Sequence, residues 1–169
     1  MNDSLSVLFA PYETAGQAYH YSSGLQALGT DPTTLTYLSH PFDYPTDINL
    51  DLSAENMRES IVSGINILSH FPQLYSEHNV FHLWAGRSLF PRHLDLPFYS
   101  IGDKKAVINY RGSNGRLGYI AKSRNPYSNL MDMEYNDEKT SKYLRRASKF
   151  IDIALVPDHE LLPSIQEFF

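Results

Sequence analysis

Cysteine is absent from the 169-residue sequence, which excludes disulfide bonds and any metal site built on thiolates. The formal net charge is −5 with histidine neutral, which argues against a nucleic-acid binder because such proteins carry a basic face. No apolar run approaches the roughly 20 residues of a membrane-spanning helix, and the N-terminus lacks the features of a secretory signal peptide. We therefore expect a cytoplasmic protein. Peripheral contact at the inner membrane face stays open, because an interfacial surface needs no long apolar run.

Several motifs that mark catalytic sites are also missing. The sequence has no G-x-G-x-x-G dinucleotide fingerprint, no phosphate-binding P-loop, no H-E-x-x-H pair and no nucleophile elbow. The seven histidines do not stand at the spacings of metal ligands, so we expect no metal site. Motifs alone therefore assign no catalytic residue.

The sequence does contain an alternation of short apolar runs with stretches of helical periodicity. The runs are too short for helices and are typical of buried strands, and strand–helix alternation implies crossovers and a mostly parallel sheet. The pattern predicts an α/β fold, with a Rossmann-like, doubly wound sheet in a single domain spanning residues 1–169. The predicted strands are 5–10, 33–38, 80–84, 105–110 and 151–156, and predicted helices are one ending near 28, then 92–102, 139–150 and 158–168.

A further helix is predicted between the second and third strands. Ser53 is a good N-cap for it, and four apolar residues then recur at spacings of 4, 4 and 3, which predicts a buried stripe. Residues 40–52 and 117–137 are rich in polar and turn-forming residues and are predicted as irregular. The four residues of the predicted stripe are Met57, Ile61, Ile65 and Leu68.

Ligands of an open parallel sheet bind beyond the carboxyl ends of its strands. Gly16 and Gln17 begin the first predicted helix, just after the first strand. A glycine lets a ligand approach the backbone, and a helix N-terminus favours anions. A tight turn without a ligand explains the same residues and stays open. Asp158, after the last strand, is interpreted as a cap of the final helix.

The third predicted strand contains His82 and is followed by Arg87 and Ser88. We interpret His82 as a hydrogen-bonded core residue, because it lies within the strand. Arg87 and Ser88 lie past its end, where a guanidinium group suits phosphate or carboxylate. These two residues are therefore candidate ligand contacts.

The loop after the fourth predicted strand is the strongest candidate for an anion site. It contains Arg111, Gly112, Ser113, Asn114 and Arg116. Two guanidinium groups beside flexible backbone amides can bind an anion. The alternative is a solvated glycine-rich loop.

Four segments of the chain together resemble group-1, family-four-like glycosyltransferases. Residues 7–17 are similar to the first strand and loop of these enzymes. F-H-L-W-A-G-R-S-L-F-P and then L-D-L-P, within 81–97, are similar to a bacterial stretch of the form H-F-H-F-G-x-S-L-L-P and D-L-P. K-K-A-V and Y-R-G-S-N-G-R, within 104–116, resemble K-K-V-V and H-G-S-D-x-R. A-L-V-P-D at 154–158 resembles the strand that closes the N-terminal domain.

The resemblance implies half of a GT-B fold, in which two Rossmann-like domains face each other across a cleft. This chain would be the N-terminal, acceptor-side domain of an enzyme that transfers a hexosyl group from a nucleotide sugar to a sugar or lipid-linked acceptor. A C-terminal donor-binding domain, in the same or a separate chain, would complete the site without a metal or other cofactor. The Gly16 loop would face the donor phosphates or the acceptor, and residues 111–114 would border the reacting sugar.

Two positions depart from the pattern of that family. Arg111 stands where the family has histidine, and Asn114 stands where it has aspartate. Because arginine neither accepts a hydrogen bond nor acts as a base, any role of the family histidine in positioning the donor sugar is altered here, and no catalytic residue is assigned. The chain alone is expected to be inactive because the implied donor-binding domain would lie outside it. The replacements keep open a non-catalytic ligand-binding or protein-interaction module on the same fold. A small nucleotide-binding Rossmann enzyme is less well supported, because the glycine fingerprint is absent.

Overall fold

Six parallel strands form one open sheet in the computed structural model. The structure describes residues 5–39, 42–52, 57–125, 127 and 135–169, and it does not describe the side chains of residues 57–63 and of Ser113. The strands are β1 (Ser6–Ala10), β2 (Asp31–Thr36), β3 (Ile48–Asn49), β4 (Val80–Leu83), β5 (Lys105–Asn109) and β6 (Ile153–Leu155). The α-helices are α1 (Gln17–Ala27), α2 (Met57–Glu77), α3 (Leu96–Ile101), α4 (Gly118–Arg124), α5 (Asp137–Ala147) and α6 (Leu162–Gln166).

The order of strands across the sheet is β3-β2-β1-β4-β5-β6, and every pairing is parallel. Helices connect successive strands except β2 and β3, between which the described residues contain no helix, and they pack on the sheet, which confirms the predicted Rossmann-like α/β fold. β1 lies at the centre, and four of its five residues are buried. A short run that is apolar on both faces is what a central parallel strand requires.

Side chains of β1 alternate between two hydrophobic clusters, one on each face of the sheet. Leu8 and Ala10 belong to the larger cluster, which also holds residues of α2, α3 and α5. Val7 and Phe9 belong to the smaller cluster with Ala18 of α1 and Trp84. The two faces of the sheet are therefore covered unequally.

The predicted apolar stripe of α2 is wrong. Ile65 and Leu68 are 61% and 59% exposed, whereas Ile67 and Leu74 are 8% and 4% exposed. Ile67 and Leu74 belong to a second apolar stripe on a different face of the helix, and partly buried Phe71 belongs to it as well. The predicted N-cap Ser53 and the side chains of Met57 and Ile61 lie outside the described residues.

Residues 40–52, predicted as a loop, contribute the edge strand β3. Only Ile48 and Asn49 pair with β2, so the local pattern is too short to be recognised. The Asp47 carboxylate fixes this segment because it accepts hydrogen bonds from the backbone N–H and the hydroxyl of Thr34, both at 2.7 Å. β2 itself begins two residues earlier than predicted, since Asp31 pairs with Ser6 in the register of β1.

Residues 117–137, predicted as irregular, contain the short helix α4. Its first amides are held by a distant carboxylate: Asp137 accepts hydrogen bonds from the backbone N–H of Gly118 at 2.6 Å and of Tyr119 at 3.1 Å. A cap supplied from 18 or 19 residues away leaves no signal in the local sequence. At the end of the chain, Asp158 accepts the backbone N–H of Leu161 at 2.7 Å, so it caps the turn that leads into α6.

Among the helices that the structure describes, none combines the length and the apolar character needed to cross a membrane.

Truncating Ile67 tests which stripe of α2 is buried. Ile67→Ala should lower the free energy of unfolding by about 2–4 kcal/mol, because it leaves a cavity in the core. The matched variant Ile65→Ala lies on the exposed side of the same helix and should change the free energy of unfolding by less than about 0.5 kcal/mol. Urea denaturation measures both values, and equal losses would contradict the assignment.

Candidate functional site

The chain leaves β1 towards β2 on one side and returns to β4 on the other side. This reversal of direction occurs at the centre of the sheet. In open parallel sheets a crevice forms there, beyond the carboxyl ends of the strands, and ligands bind in it. The loops after β1, β4 and β5 therefore surround the expected ligand position.

A cleft of about 490 Å³, here called the cationic cleft, opens at this edge of the sheet. Its walls come from the loop after β4, the loop after β5 and the beginning of α5, with Tyr12 and Tyr37 from the ends of β1 and β2. It lies on the face of the larger core cluster, since Tyr37 and Leu89 belong to both. The volume suits a small-molecule ligand.

Four cationic side chains line the cleft: Arg87, Arg92, Arg116 and Lys139. None of its described lining residues is an aspartate or a glutamate. This concentration of one sign contrasts with the net charge of −5 for the whole chain. The electrostatics of the cleft therefore favour an anionic ligand.

Arg116 is the most deeply buried of these cations. Its side chain is 16% exposed, and its Nε is buried without a hydrogen-bond partner. One guanidinium nitrogen lies 3.7 Å from the carboxylate of Glu160, whose side chain is 68% exposed. A pair of this length with an exposed partner compensates little of the cost of burying a charge. An anion in the cleft would supply the missing interaction.

The loop after β4 has an unusual backbone. Ala85, Arg92 and His93 adopt the left-handed region with φ of 56°, 58° and 59°. This conformation costs a residue other than glycine roughly 1–2 kcal/mol, and such residues cluster at binding sites. Interactions elsewhere in the loop must therefore hold it in place.

Asp95 supplies those interactions from a fully buried position. Its carboxylate accepts hydrogen bonds from the Ser88 hydroxyl at 2.5 Å and the Tyr99 hydroxyl at 2.7 Å. It also accepts the backbone N–H of Leu89 at 2.9 Å and of Phe90 at 3.2 Å. Burial, and then the Asp95 charge, raise the pKa of Tyr99 well above its usual value, so this hydroxyl stays a donor.

His93 ties the same loop to its surroundings and is 4% exposed. Its Nε2 lies 3.1 Å from the backbone oxygen of Gly86; because a carbonyl only accepts, Nε2 carries the proton. Burial lowers the pKa of His93, so the ring is neutral. Arg146 of α5 donates from Nε to the His93 carbonyl at 3.1 Å, which joins the loop to α5.

The structure brings four of the predicted site residues to the cleft: Arg87, Ser88, Asn114 and Arg116. The Ser88 hydroxyl already donates to Asp95, so this residue holds the loop. The side chain of Ser113 lies outside the described residues. Gly16, Gln17, Arg111 and Gly112 are not among the described residues that line the cleft.

Gly16 and Gln17 lie at a turn that the chain itself completes. Gly16 has φ of +79°, and a Cβ added there would lie 2.7 Å from a ring carbon of Tyr44. The Glu13 carboxylate accepts the backbone N–H of Ala18 at 3.3 Å and of Tyr19 at 3.0 Å. Those two amides of α1 are therefore occupied, and the geometry favours the tight-turn interpretation.

Arg111 lies on the opposite face of the sheet from the cationic cleft. Its guanidinium carbon is 5.2 Å from the ring centre of Trp84, which is fully buried in the smaller core cluster. His82 stacks on the same ring at 5.0 Å with an interplanar angle of 2°. The prediction that His82 is a core residue is confirmed by its 8% exposure, but its Nε2 has no hydrogen-bond partner.

Sequence reasoning missed several cleft residues, notably Arg92, His93 and Lys139. Arg92 and His93 follow the same strand as Arg87, so their position past β4 was an available signal. Lys139 lies in the first turn of α5, where Asn136 caps its backbone N–H at 2.9 Å. The contact of α5 with the loop after β4 joins residues that are distant in sequence, so no local sequence pattern predicts it.

Fold and site together define a single Rossmann-like α/β domain with a cationic cleft at the carboxyl edge of its sheet. Among the described residues, no group of three histidine, aspartate or glutamate side chains is placed to hold a metal ion. No protein-family model matches the sequence, and no curated protein matches it.

Removing the Asp95 carboxylate should destabilise the fold. Asp95→Ala leaves the Tyr99 hydroxyl and the backbone N–H groups of Leu89 and Phe90 without this acceptor, whereas the Ser88 hydroxyl keeps the Phe90 carbonyl oxygen at 3.1 Å. We expect a loss of at least about 3 kcal/mol in the free energy of unfolding. The control Asp31→Ala removes an exposed carboxylate and should change that value by less than about 0.5 kcal/mol. Urea denaturation compares the two variants, and a similar small loss in both would refute the role of Asp95.

His82 should make stability depend on pH. Burial lowers its pKa from 6.5 to about 4, so the unfolded chain binds the proton more tightly. The stability that the neutral ring contributes is complete above its unfolded pKa and is lost as the pH falls towards 4. Between about pH 7.5 and pH 5, His82→Phe should therefore remove roughly 2 kcal/mol of the decrease in unfolding free energy. Urea denaturation at the two pH values measures this, and an unchanged decrease would contradict it.

Proposed function

We propose that the cationic cleft binds a phosphate-bearing ligand, and that this chain is the acceptor-side domain of a nucleotide-sugar-dependent glycosyltransferase that transfers a hexosyl group to a sugar or lipid-linked acceptor. The observation that carries the proposal is Arg116, a largely buried cation with one distant, exposed partner in a cleft whose described lining residues include no carboxylate. A phosphate group supplies the charge and the acceptors that this side chain lacks.

The other lining groups suit the sugar part of such a ligand. Asn114, Asn136 and Thr140 offer side-chain donors and acceptors for hydroxyl groups. Tyr12 and Tyr143 present aromatic side chains to the same space. A cleft that combines aromatic walls with a few polar groups and fixed charges binds a small amphipathic molecule. A sugar phosphate, free or as the head of a lipid-linked acceptor, has this chemistry.

The glycosyltransferase part of the proposal rests on where the resembling segments lie. Residues 7–17 form β1 and the turn into α1, and residues 81–97 form most of β4 with its cleft-lining loop. Residues 104–116 form β5 and its loop, and 154–158 include the end of β6. All four segments thus meet at the carboxyl edge of one sheet. In the proposed enzyme a C-terminal domain faces this edge and brings the nucleotide sugar as co-substrate.

The residues of this chain would bind and orient the acceptor. Arg87, Arg116 and Lys139 would hold its phosphate, and His93 and Asp95 would keep the loop that carries Arg87 in shape. We assign no catalytic base among the described residues.

A specific observation favours the second candidate, a non-catalytic ligand-binding or protein-interaction module. Arg111, which stands at the family's histidine position, packs on buried Trp84 and is absent from the described lining of the cleft. The position that borders the reacting sugar in the resembling family is therefore turned to the other face of the sheet. A domain that only binds has no need of that position.

Phosphate binding is tested by isothermal titration calorimetry with inorganic phosphate and glucose 1-phosphate. Lys139→Gln should weaken binding about tenfold, because a charge-assisted hydrogen bond is lost. The control Lys142→Gln removes an exposed lysine one turn along the same helix and should leave affinity unchanged. Equal effects of the two variants, or the absence of binding, would refute the proposal.

Transfer is tested separately, by a donor and acceptor screen on the full-length gene product with product masses as the readout. Appearance of an acceptor heavier by one hexosyl group supports the glycosyltransferase. If phosphate-bearing sugars bind through Lys139 and no donor yields a product, the non-catalytic binding module is the correct function.

A further inference from the structure

A second cavity of about 310 Å³, here called the side chamber, adjoins the cationic cleft. The two spaces share Arg116 and Tyr135, so they meet at these side chains. The remaining walls of the side chamber come from the end of α4 and from the turn after β6. The described residues that complete its lining are Ala121, Arg124, Asn125, His159 and Glu160.

Arg116 lies on the wall between the two spaces. Its guanidinium group has five donors in a planar fork, and the hydrogen-bond partner of its buried Nε is missing. A single anion on one side would use only some of these donors. Because Arg116 lines both the cleft and the side chamber, it can contact an anionic group in each.

Arg124 brings a second cation to the side chamber. It stands in the last turn of α4 and is exposed, and no described carboxylate forms a salt bridge with it. His159 and Asn125 line the same space and add polar groups that can contact an anion. The side chamber therefore contains the cationic and donor groups of an anion site independently of Arg87, Arg92 and Lys139.

Glu160 is the one carboxylate among the described lining residues of the side chamber. A carboxylate oxygen of Glu160 lies 3.7 Å from the Arg116 guanidinium group, and the Glu160 side chain is 68% exposed. Water can therefore solvate this carboxylate if it moves away from Arg116. The carboxylate thus occupies, at a long distance, a place where an anionic ligand group would pair with Arg116. An anion that enters would displace Glu160 at small cost, because the pair is long and its carboxylate is largely exposed to solvent.

We infer that the side chamber is a second anion subsite, and that the ligand of the cationic cleft carries two phosphate groups, one on each side of Arg116. This inference rests on the proposed function, which places the first phosphate in the cleft. The ligand class is a bisphosphate or diphosphate compound, with Arg124 as the residue that distinguishes it from a monophosphate.

Calorimetric titration with three probes tests the subsite: inorganic phosphate, pyrophosphate and fructose 1,6-bisphosphate. At least one of the two-phosphate probes should bind about tenfold more tightly than phosphate to the unaltered chain. Arg124→Gln should abolish this advantage and leave the affinity for phosphate unchanged. The control Lys122→Gln removes an exposed cation from the same helix and should preserve the advantage.

Glu160→Gln provides a test in the opposite direction. Removal of the competing carboxylate should strengthen binding of the favoured two-phosphate probe several-fold, whereas a role of Glu160 in holding Arg116 for the ligand would weaken it. Thermal unfolding of each variant, expected to match the unaltered chain, confirms that the altered residues act on binding.

The outcomes separate the subsite from the proposed function. Phosphate binding that depends on Lys139, with no gain from a second phosphate or with equal effects of Arg124→Gln and Lys122→Gln, overturns the second subsite alone. Failure of phosphate itself to bind overturns both proposals.

Discussion

The carboxylate of Asp95 is the interaction on which the cleft depends. It is fully buried and accepts four hydrogen bonds, two from hydroxyls and two from the backbone. Those bonds fix the loop after β4, where Arg92 and His93 hold left-handed conformations that their own side chains disfavour. A loop of that shape is what directs Arg87 and Arg92 into one space. The buried Asp95 carboxylate therefore stabilises the loop that carries Arg87 and Arg92, although Asp95 itself is not among the described lining residues of the cleft.

Alternation of side chains along the strands divides the candidate residues between two faces. Tyr110 belongs to the larger core cluster beneath the cleft, so its neighbour Arg111 emerges on the opposite face and meets Trp84. Arg116, after the short turn at 112–114, returns to the cleft face. Two arginines five positions apart in sequence thus serve different surfaces. The sequence pattern predicts one anion site at residues 111–116, but Arg111 and Arg116 lie on opposite faces of the sheet.

Five strands and most helices were predictable because each depends on its own residues, whereas β3, α4 and part of the site depend on distant ones. β1 and β4 are apolar runs that need only burial, and they differ from prediction by one residue at an end. α4 needs Asp137, and β3 needs the contact between Asp47 and Thr34, so neither has a local signal. The same distinction applies to the cleft. Arg87 and Arg116, which follow strands, were identified from sequence, but Lys139 reaches the cleft only because α5 packs beside the loop after β4.

The cations of the cleft repel one another, and the fold relieves this repulsion only in part. Four cations share the space, and the beginning of α5 adds the positive end of a helix dipole. Asp137 and Glu138 in the first turn of α5 offset that dipole, and Glu160 approaches Arg116 from outside. These carboxylates lie around the cleft and leave its described lining free of negative charge. An anion bound inside would remove the remaining repulsion, and by binding only the folded state it would raise the free energy of unfolding.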